Sequence, residues 1–316
     1  MSLYRSVVWF TKGLREDTKS GYESASKDFV PHNLEVQVPG RVFLVTGGNS
    51  GTGKATALEI AKRDKQLLTH VSTEPHVHLV CRDQALAEDA RGEIIQESGN
   101  QNIFLHIVDL SDPKKIWKFF ENFKQEHKLH VLINNASCMV NKRELTEDGL
   151  EKNFATNTLV SVYILTTGLI PVLEKEHDPQ VITISSGGML VQKLNTDDLQ
   201  SKRTRQQVVL MERWAQGHPA IHFSSMHPSW ADTPGMRQAM PGFHARFRDR
   251  RRSEAQGTDT VLWLALSSAA AAQPSSRFFQ DRKPVSTHLS LTRMSSSPAE
   301  EEKLIEILEQ LAQTFK

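Results

Sequence analysis

Cysteine, tyrosine, net charge and long apolar runs are scarce in this sequence, and each shortage excludes something. Only two cysteines occur, Cys81 and Cys138. Both lie in apolar runs that read as strand or strand end, so no disulfide scaffold is expected. A reducing, intracellular location follows, the cytoplasm by default. No apolar stretch approaches the roughly 18 residues that a membrane-spanning helix needs, so none is expected. The 38 basic residues stand against 37 acidic ones, a net charge of +1, and no overall field gathers nucleic acid or anionic lipid. His70, His76, His78 and His106 lack the spacing of metal ligands along the chain and read as surface or core residues, so no metal is expected. Only three tyrosines are present, Tyr4, Tyr22 and Tyr163.

What is there in plenty is alternation. Arg41–Thr46, His76–Arg82, Ile103–Leu110, Val131–Asn134, Gln180–Ser185 and Ile221–Met226 are short apolar runs bounded by turn residues, and they read as strands. Arg277–Phe279 reads as a seventh. Helical spacing falls between them, over 54–62, 84–98, 113–127, 147–173, about 204–215 and 253–268. Strand and helix in this order imply parallel strands with right-handed crossovers, an α/β doubly wound parallel sheet of Rossmann type.

One such domain spans residues 39–285. Residues 1–38 form an N-terminal extension, irregular around Pro31 and Pro39. Its segment LYRSVVWFTKGL, residues 3–14, is too interrupted for a secretory signal. It reads as a helix packed on its own domain; the competing reading is an amphipathic membrane-surface or targeting segment. Glu16 and Asp17 weaken the basic bias and favour packing. Residues 286–316 form a tail. There Leu304, Ile305, Leu308, Leu311 and Phe315 share one face of a capped amphipathic helix, expected to dock on the same domain.

Thr46-Gly47-Gly48-Asn49-Ser50-Gly51-Thr52-Gly53 lies between the first strand and the first helix of the domain. Gly47 allows a sharp turn, and Gly51 and Gly53 allow close approach of backbone and phosphate. The helix N-terminus offers free N–H groups and a positive dipole end to a pyrophosphate. Strand, spacing and helix agree, which a lone glycine triplet would not show.

At this point the chain resembles the short-chain dehydrogenase/reductase (SDR) superfamily, over about residues 40 to 280. The resemblance is carried by GRVFLVTGGNSG, HLVCRD, IVDLSD, HVLINNA and VITISSGGM. It implies cofactor contacts for Thr46, Gly47, Asn49, Ser50, Gly51, Thr52 and Gly53. Arg82 stands where NADP-preferring members place an arginine against the 2′-phosphate, so NADP is implied, and the adjacent Asp83 leaves NAD open. Asp109 and Leu110 match the adenine side. Asn134, Asn135 and Ala136 match a turn that steadies the sheet beside the cofactor, with Ser137 in place of the usual glycine. Pro228 and Thr233 match nicotinamide-side contacts. Ser229 and Ser276 also stand where glycine is usual.

The chemistry the resemblance implies is hydride transfer between a nicotinamide and a carbonyl or alcohol carbon. Ser186 matches the family serine, with Ser185 as the alternate, and Asn157 matches the helix asparagine that supports a proton-relay water. The Tyr-x-x-x-Lys pair, which sits on one helical face through its i, i+4 spacing, is missing. Val8, Ser26 and Thr167 follow the three tyrosines at that spacing, and residues 187–220, where the pair belongs, hold no tyrosine. The helix there begins only around Thr204, which reads as a deletion at about residues 203–206. Residues 64–76, DKQLLTHVSTEPH, read as an insertion in the first crossover. Together they suggest a splice variant or a gene-model artefact.

The expected function is an NAD(P)-dependent oxidoreductase acting on a small carbonyl or alcohol, impaired by the missing pair. The alternative is a catalytically inactive nucleotide-binding or partner-binding homologue. The basic run Arg246, Arg248, Arg250, Arg251 and Arg252 reads as a solvated loop over the substrate region, with no nucleic acid expected. A dimer is compatible with the resemblance, though one of the helices that such proteins pair through is shortened here.

Overall fold

The computed structural model describes residues 3–63, 74–200, 205–289 and 295–316. Eight strands form one sheet in the order β3-β2-β1-β4-β5-β6-β7-β8. They are β1 (Val42–Thr46), β2 (His76–Cys81), β3 (Ile103–Ile107), β4 (Val131–Asn134), β5 (Gln180–Ile184), β6 (His222–Met226), β7 (Arg277–Gln280) and β8 (Lys283–Val285). The first seven pair in parallel and β8 closes the edge antiparallel to β7. The strand order reverses between β1 and β4, and in such sheets ligands bind beyond the strand ends at that point.

Alternate residues of each strand feed two cores. Leu44, Val80, Leu132, Val181 and Phe223 pack on one face and Phe43, Val45, Leu79, Ile133 and Ile182 on the other. Both faces are covered, as the near-continuous apolar strands require.

The helices are α1 (Leu3–Glu16), α2 (Lys19–Ala25), α3 (Gly51–Ala61), α4 (Gln84–Ser98) and α5 (Pro113–Glu126). Next come α6 (Lys152–Phe154) and α7 (Leu165–Leu173), then α8 (Arg205–Gly217), α9 (Pro234–Ala239) and α10 (Pro241–Phe247). The last are α11 (Glu254–Leu266), α12 (Ser268–Ala271) and α13 (Pro298–Gln313). Their ends follow capping chemistry. Asp112 accepts from Lys115 N ahead of α5, Gly99 ends α4 at φ 81°, and Ser253 and Ser297 form capping boxes with Gln256 and Glu300.

Four expectations change. The helix over 147–173 begins only at Lys152, because the preceding residues turn back and Leu145 bridges Glu151. Between its ends α6 and α7 run ten residues of π-helix, Ala155–Ile164. The continuous helix Lys152–Leu173 is long and apolar enough to cross a membrane, but 72% of its apolar window is buried in the protein, where it serves as a core helix. The basic run is solvated only in part: Arg246, Arg248 and Arg250 are exposed on α10 and a short turn, whereas Arg251 and Arg252 are buried against acids. Strand β8 was not foreseen. The insertion reading for 64–76 and the deletion at 203–206 fall largely on residues 64–73 and 201–204, outside the described residues.

The N-terminal extension packs on the domain. Phe10 meets Trp230 and Phe247, and Trp9 Nε1 donates to Gly187 O at 2.9 Å. Arg252 donates to Glu16 O at the end of α1, to Thr18 O, and to both Asp281 oxygens at 2.5 and 3.0 Å. At the other terminus Leu304, Leu308 and Ala312 of α13 enter the core, and Tyr163 Oη donates to Glu309 at 2.7 Å.

Candidate active site

The glycine turn leaves β1 at the switch point. Gly47 has φ +67° and Gly51 φ +54°, both in the left-handed region that favours glycine. At Gly53 a Cβ would overlap the Gly47 carbonyl and the Asn135 side chain. The turn is therefore built around three missing Cβ atoms. Ser50 stands at the N-cap of α3 in extended backbone and makes no side-chain cap bond. The first N–H groups of α3 thus keep their capacity for an anion. A Cβ on Gly51 would lie 3.4 Å from Thr233, so Thr233 and the turn are neighbours.

Several matched residues hold the turn itself. Thr46 Oγ1 accepts from Asn135 N at 3.0 Å and Ala136 N at 2.9 Å. Asn135 Nδ2 donates to Thr46 O, and its Oδ1 accepts from Thr52 Oγ1 at 2.9 Å. Asn134 points into the sheet and donates to Thr166 and Thr183. Asn49 lies half-buried in the turn, and Asp109 accepts from the Ser111 amide and hydroxyl at 2.8 Å. Leu110 is buried in the core behind it. Ser137 lies outside the left-handed region, whereas Ser229 at φ 61° and Ser276 at φ 69° occupy it.

At the end of β2, Arg82 is exposed, and Asp83 caps α4 by accepting from Leu86 N at 3.0 Å. The carboxylate beside the arginine is engaged in helix capping. Burial pushes the neighbouring Cys81 thiol up to about 11, so it is an inert core group.

Ser186 follows β5 and caps the short turn Gly187–Val191, accepting from Gly188 N at 3.1 Å. Ser185 faces inward, its buried Oγ without a hydrogen-bond partner. Asn157 lies in the π-helical segment and clamps the loop after β4. Its Oδ1 accepts from Cys138 N at 2.7 Å and its Nδ2 donates to Cys138 O at 2.8 Å. Its main-chain carbonyl accepts from Gln207 Nε2 of α8 at 2.8 Å. Asn157 is therefore committed to holding other groups.

The serine turn has a third support that sequence reading missed. Gly187 N donates to His227 Nδ1 at 2.9 Å, and His227 Nε2 lies 3.5 Å from Asp17 in the N-terminal extension. Burial works to raise the Asp17 carboxyl, but His227, Lys12 and Arg252 together outweigh it and hold it below the ordinary value. Pro228 follows, half-buried, its carbonyl near Gly257. Beside the turn Ser6, Trp9, Phe10, Gly188, Val191 and Gln192 line a largely apolar cavity of about 410 Å³. No signal along the chain placed the extension here, because the contact joins residues 178 positions apart.

The Tyr163 side chain packs against Trp214 and donates to Glu309. Burial and the Glu309 carboxylate both hold its hydroxyl well above the usual tyrosine value. Elsewhere, His78 Nδ1 lies 2.9 Å from His106 Nε2 across β2 and β3, and His127 joins them from the end of α5. Spacing along the chain does not reveal a grouping made across strands.

A glycine-rich turn at the switch point of this sheet, an uncapped helix N-terminus behind it and a serine at the end of β5 define a Rossmann-type fold of the dehydrogenase class. The chain belongs to the short-chain dehydrogenase/reductase family of oxidoreductases: the short chain dehydrogenase model matches residues 41–196, and full-length relatives agree. It is 83% identical to "Dehydrogenase/reductase SDR family member 12" of Homo sapiens over 328 aligned positions, covering 100% of both chains. It is 37% identical to "Retinol dehydrogenase 12" of Mus musculus over 53% of this chain and 50% of that one. The L-sorbose reductase structure from Gluconobacter frateurii, complexed with NADPH and L-sorbose, superposes with TM-score 0.62 at 17% identity, covering 78% of this chain and 96% of that one. That likeness shows the fold alone. The first alignment runs over 328 positions against 316 residues here, so the human relative carries positions this chain lacks.

Proposed function

We propose that this chain binds a nicotinamide dinucleotide across the glycine turn, NADP in preference to NAD, and is impaired in hydride transfer to a small carbonyl or alcohol. The observation that carries the first part is the uncapped N-terminus of α3 behind a turn built from Gly47, Gly51 and Gly53. Asp83 is occupied as a helix cap while Arg82 is exposed, which supports the 2′-phosphate preference.

Bound NADP supplies the hydride chemistry. The chain's own residues would align a carbonyl at Ser186, against the apolar cavity beside the serine turn, which suits an apolar substrate. Residues 187–220 hold no tyrosine to serve as the proton donor. Loss of a positioned general acid costs about 10²–10⁴ in rate. The α8 segment presents Gln206 and Gln207 in its first turn, and Gln207 engages the Asn157 carbonyl. The second reading, a nucleotide-binding homologue without dehydrogenase activity, is favoured by the same feature.

The free cysteines and the packed α1 support an intracellular, cytoplasmic protein over a membrane-surface one. Docking of α13 beside the π-helical segment and α8 supports a monomer over a dimer made through those helices.

Titration of the purified protein with NADPH, followed by fluorescence and thermal shift, tests the reading. Saturable binding supports it, and a panel of apolar carbonyls then separates slow enzyme from non-catalytic binder. A cooperatively folded protein that binds neither NADPH nor NADH overturns both.

A further inference from the structure

Three imidazoles converge on the face of the β2–β3 edge that α5 covers. His78 stands on β2, His106 on β3 and His127 at the C-cap of α5. One ring nitrogen from each lies within 4.8 Å of the other two. We propose that His78, His106 and His127 form a binding site for a divalent transition metal, zinc first, with one nitrogen from each ring and a water as fourth ligand.

The geometry needs little rearrangement. His78 Nδ1 and His106 Nε2 are 2.9 Å apart, sharing a proton. Two nitrogens on a tetrahedral zinc, each at about 2.0–2.1 Å, are about 3.3 Å apart. Binding the ion asks the donor ring to carry its proton on its other nitrogen instead, so that both rings stay neutral, and asks the rings to separate by a few tenths of an ångström. His127 must move further, and it can: it sits at a helix end, half-buried, while His78 is buried.

Ligand state and surroundings agree with this. Burial, with the other imidazoles adding to it, holds His78 down to about 3 and His106 to about 4. Both rings are therefore neutral at pH 7 and keep a lone pair for a metal, as coordination demands. Phe104 stacks on His78 at 4.7 Å, and Phe119 and Phe123 pack edge-on against His106. Such an apolar wall limits solvent access on one side and leaves the His127 side for entry. Imidazole-only ligation suits zinc, copper and nickel and discriminates against magnesium and calcium. A bound ion would clamp the β2–β3 edge to the end of α5, a structural role separate from the glycine turn.

The test uses the full chain, stripped with a chelator and titrated with Zn²⁺ in competition with a chromophoric chelator. Co²⁺ serves as the spectroscopic probe. One equivalent bound at micromolar or lower concentration, with visible bands of tetrahedral intensity for Co²⁺, is the expected result. His127→Ala should weaken binding at least tenfold while the apo protein unfolds as before. His127→Cys should restore it and add a sulfur-to-cobalt charge-transfer band, an outcome that mere loss of packing would not produce. Absence of stoichiometric binding by the folded chain, or unchanged binding in His127→Ala, overturns the proposal.

Discussion

Trp9 and Gly187 are joined by a hydrogen bond of 2.9 Å across 178 residues. The indole of an N-terminal helix donates to the carbonyl of the residue that follows Ser186. The N–H of the same glycine donates to His227, which faces Asp17 of the same extension. Both polar groups of Gly187 are thus held through residues 9 to 17. The extension completes the serine turn, and removing residues 1–38 would bare Trp230, Phe247 and the Arg252 guanidinium together.

Asp17 makes stability depend on acid. Its folded-state carboxyl lies below the ordinary value of 3.8, so its contribution is fully present above that value. The contribution is lost as pH falls through the lower folded value, because the unfolded chain then binds the proton first. Urea midpoints measured from neutral pH down into this range should fall more steeply in the wild type than in Asp17→Asn. Identical acid limbs would refute the assignment.

Arg252 should be the costliest single surface-distant charge to remove. It is 2% exposed on its side chain and bidentate to Asp281, while also serving two carbonyls of the extension. Breaking one side of a buried pair costs about 3–5 kcal/mol. Arg252→Ala should lower thermal stability strongly, and Arg252→Lys should recover little, since an ammonium cannot reproduce the fork. Adding Asp281→Ala to Arg252→Ala should cost less than the sum of the singles.

Ser276 carries strain that glycine would not. At φ 69° an L side chain costs roughly 1 kcal/mol. Ser276→Gly should raise the urea midpoint by an amount corresponding to about 0.5–1 kcal/mol, while Ser276→Ala should not. Ser229→Gly should gain less, because Ser229 Oγ accepts from Gln280 at 3.4 Å.

Two substitutions separate cofactor preference from cofactor binding. Arg82→Glu, at an exposed strand end, should leave unfolding unchanged and weaken NADPH about tenfold or more against NADH. Gly53→Ala should abolish binding of both, since its Cβ has no room beside the Gly47 carbonyl. Equal NADPH and NADH affinities unchanged in Arg82→Glu would place the 2′-phosphate elsewhere.

Insertion of a Tyr-x-x-x-Lys turn ahead of Thr204 should raise carbonyl reduction by about 10²–10⁴ if the missing acid is the defect. The readout is NADPH oxidation by a folded variant whose NADPH affinity equals that of the parent. Continued inactivity under those conditions would count against Ser186 as an aligned partner.

Much of the fold was legible because its signals are local. Val42–Thr46 is apolar and β-branched, the glycines follow at once, and Lys54 onward has helical formers. Each pattern lies within a dozen neighbouring residues and reflects strand burial or helix periodicity. The seventh strand and the α13 capping box were equally visible. The helix expected from 147 started late because the Leu145–Glu151 bridge is a pairing rather than a propensity. Arg251 and Arg252 looked solvated because their partners, Asp232 and Asp281, lie in other elements.

By itself the sequence determined the strands of the sheet, the glycine turn and the lack of any tyrosine followed by lysine at the fourth position, since each is a matter of residue type and near spacing. Tertiary structure alone decided that Asp83 caps a helix, that Asn157 holds Cys138, that Trp9 and Asp17 brace the serine turn, and that three histidines meet beside α5. The reason is physical. Hydrogen bonds and ion pairs are satisfied by whichever groups folding brings within about 3 Å, and distance along the chain carries no record of that.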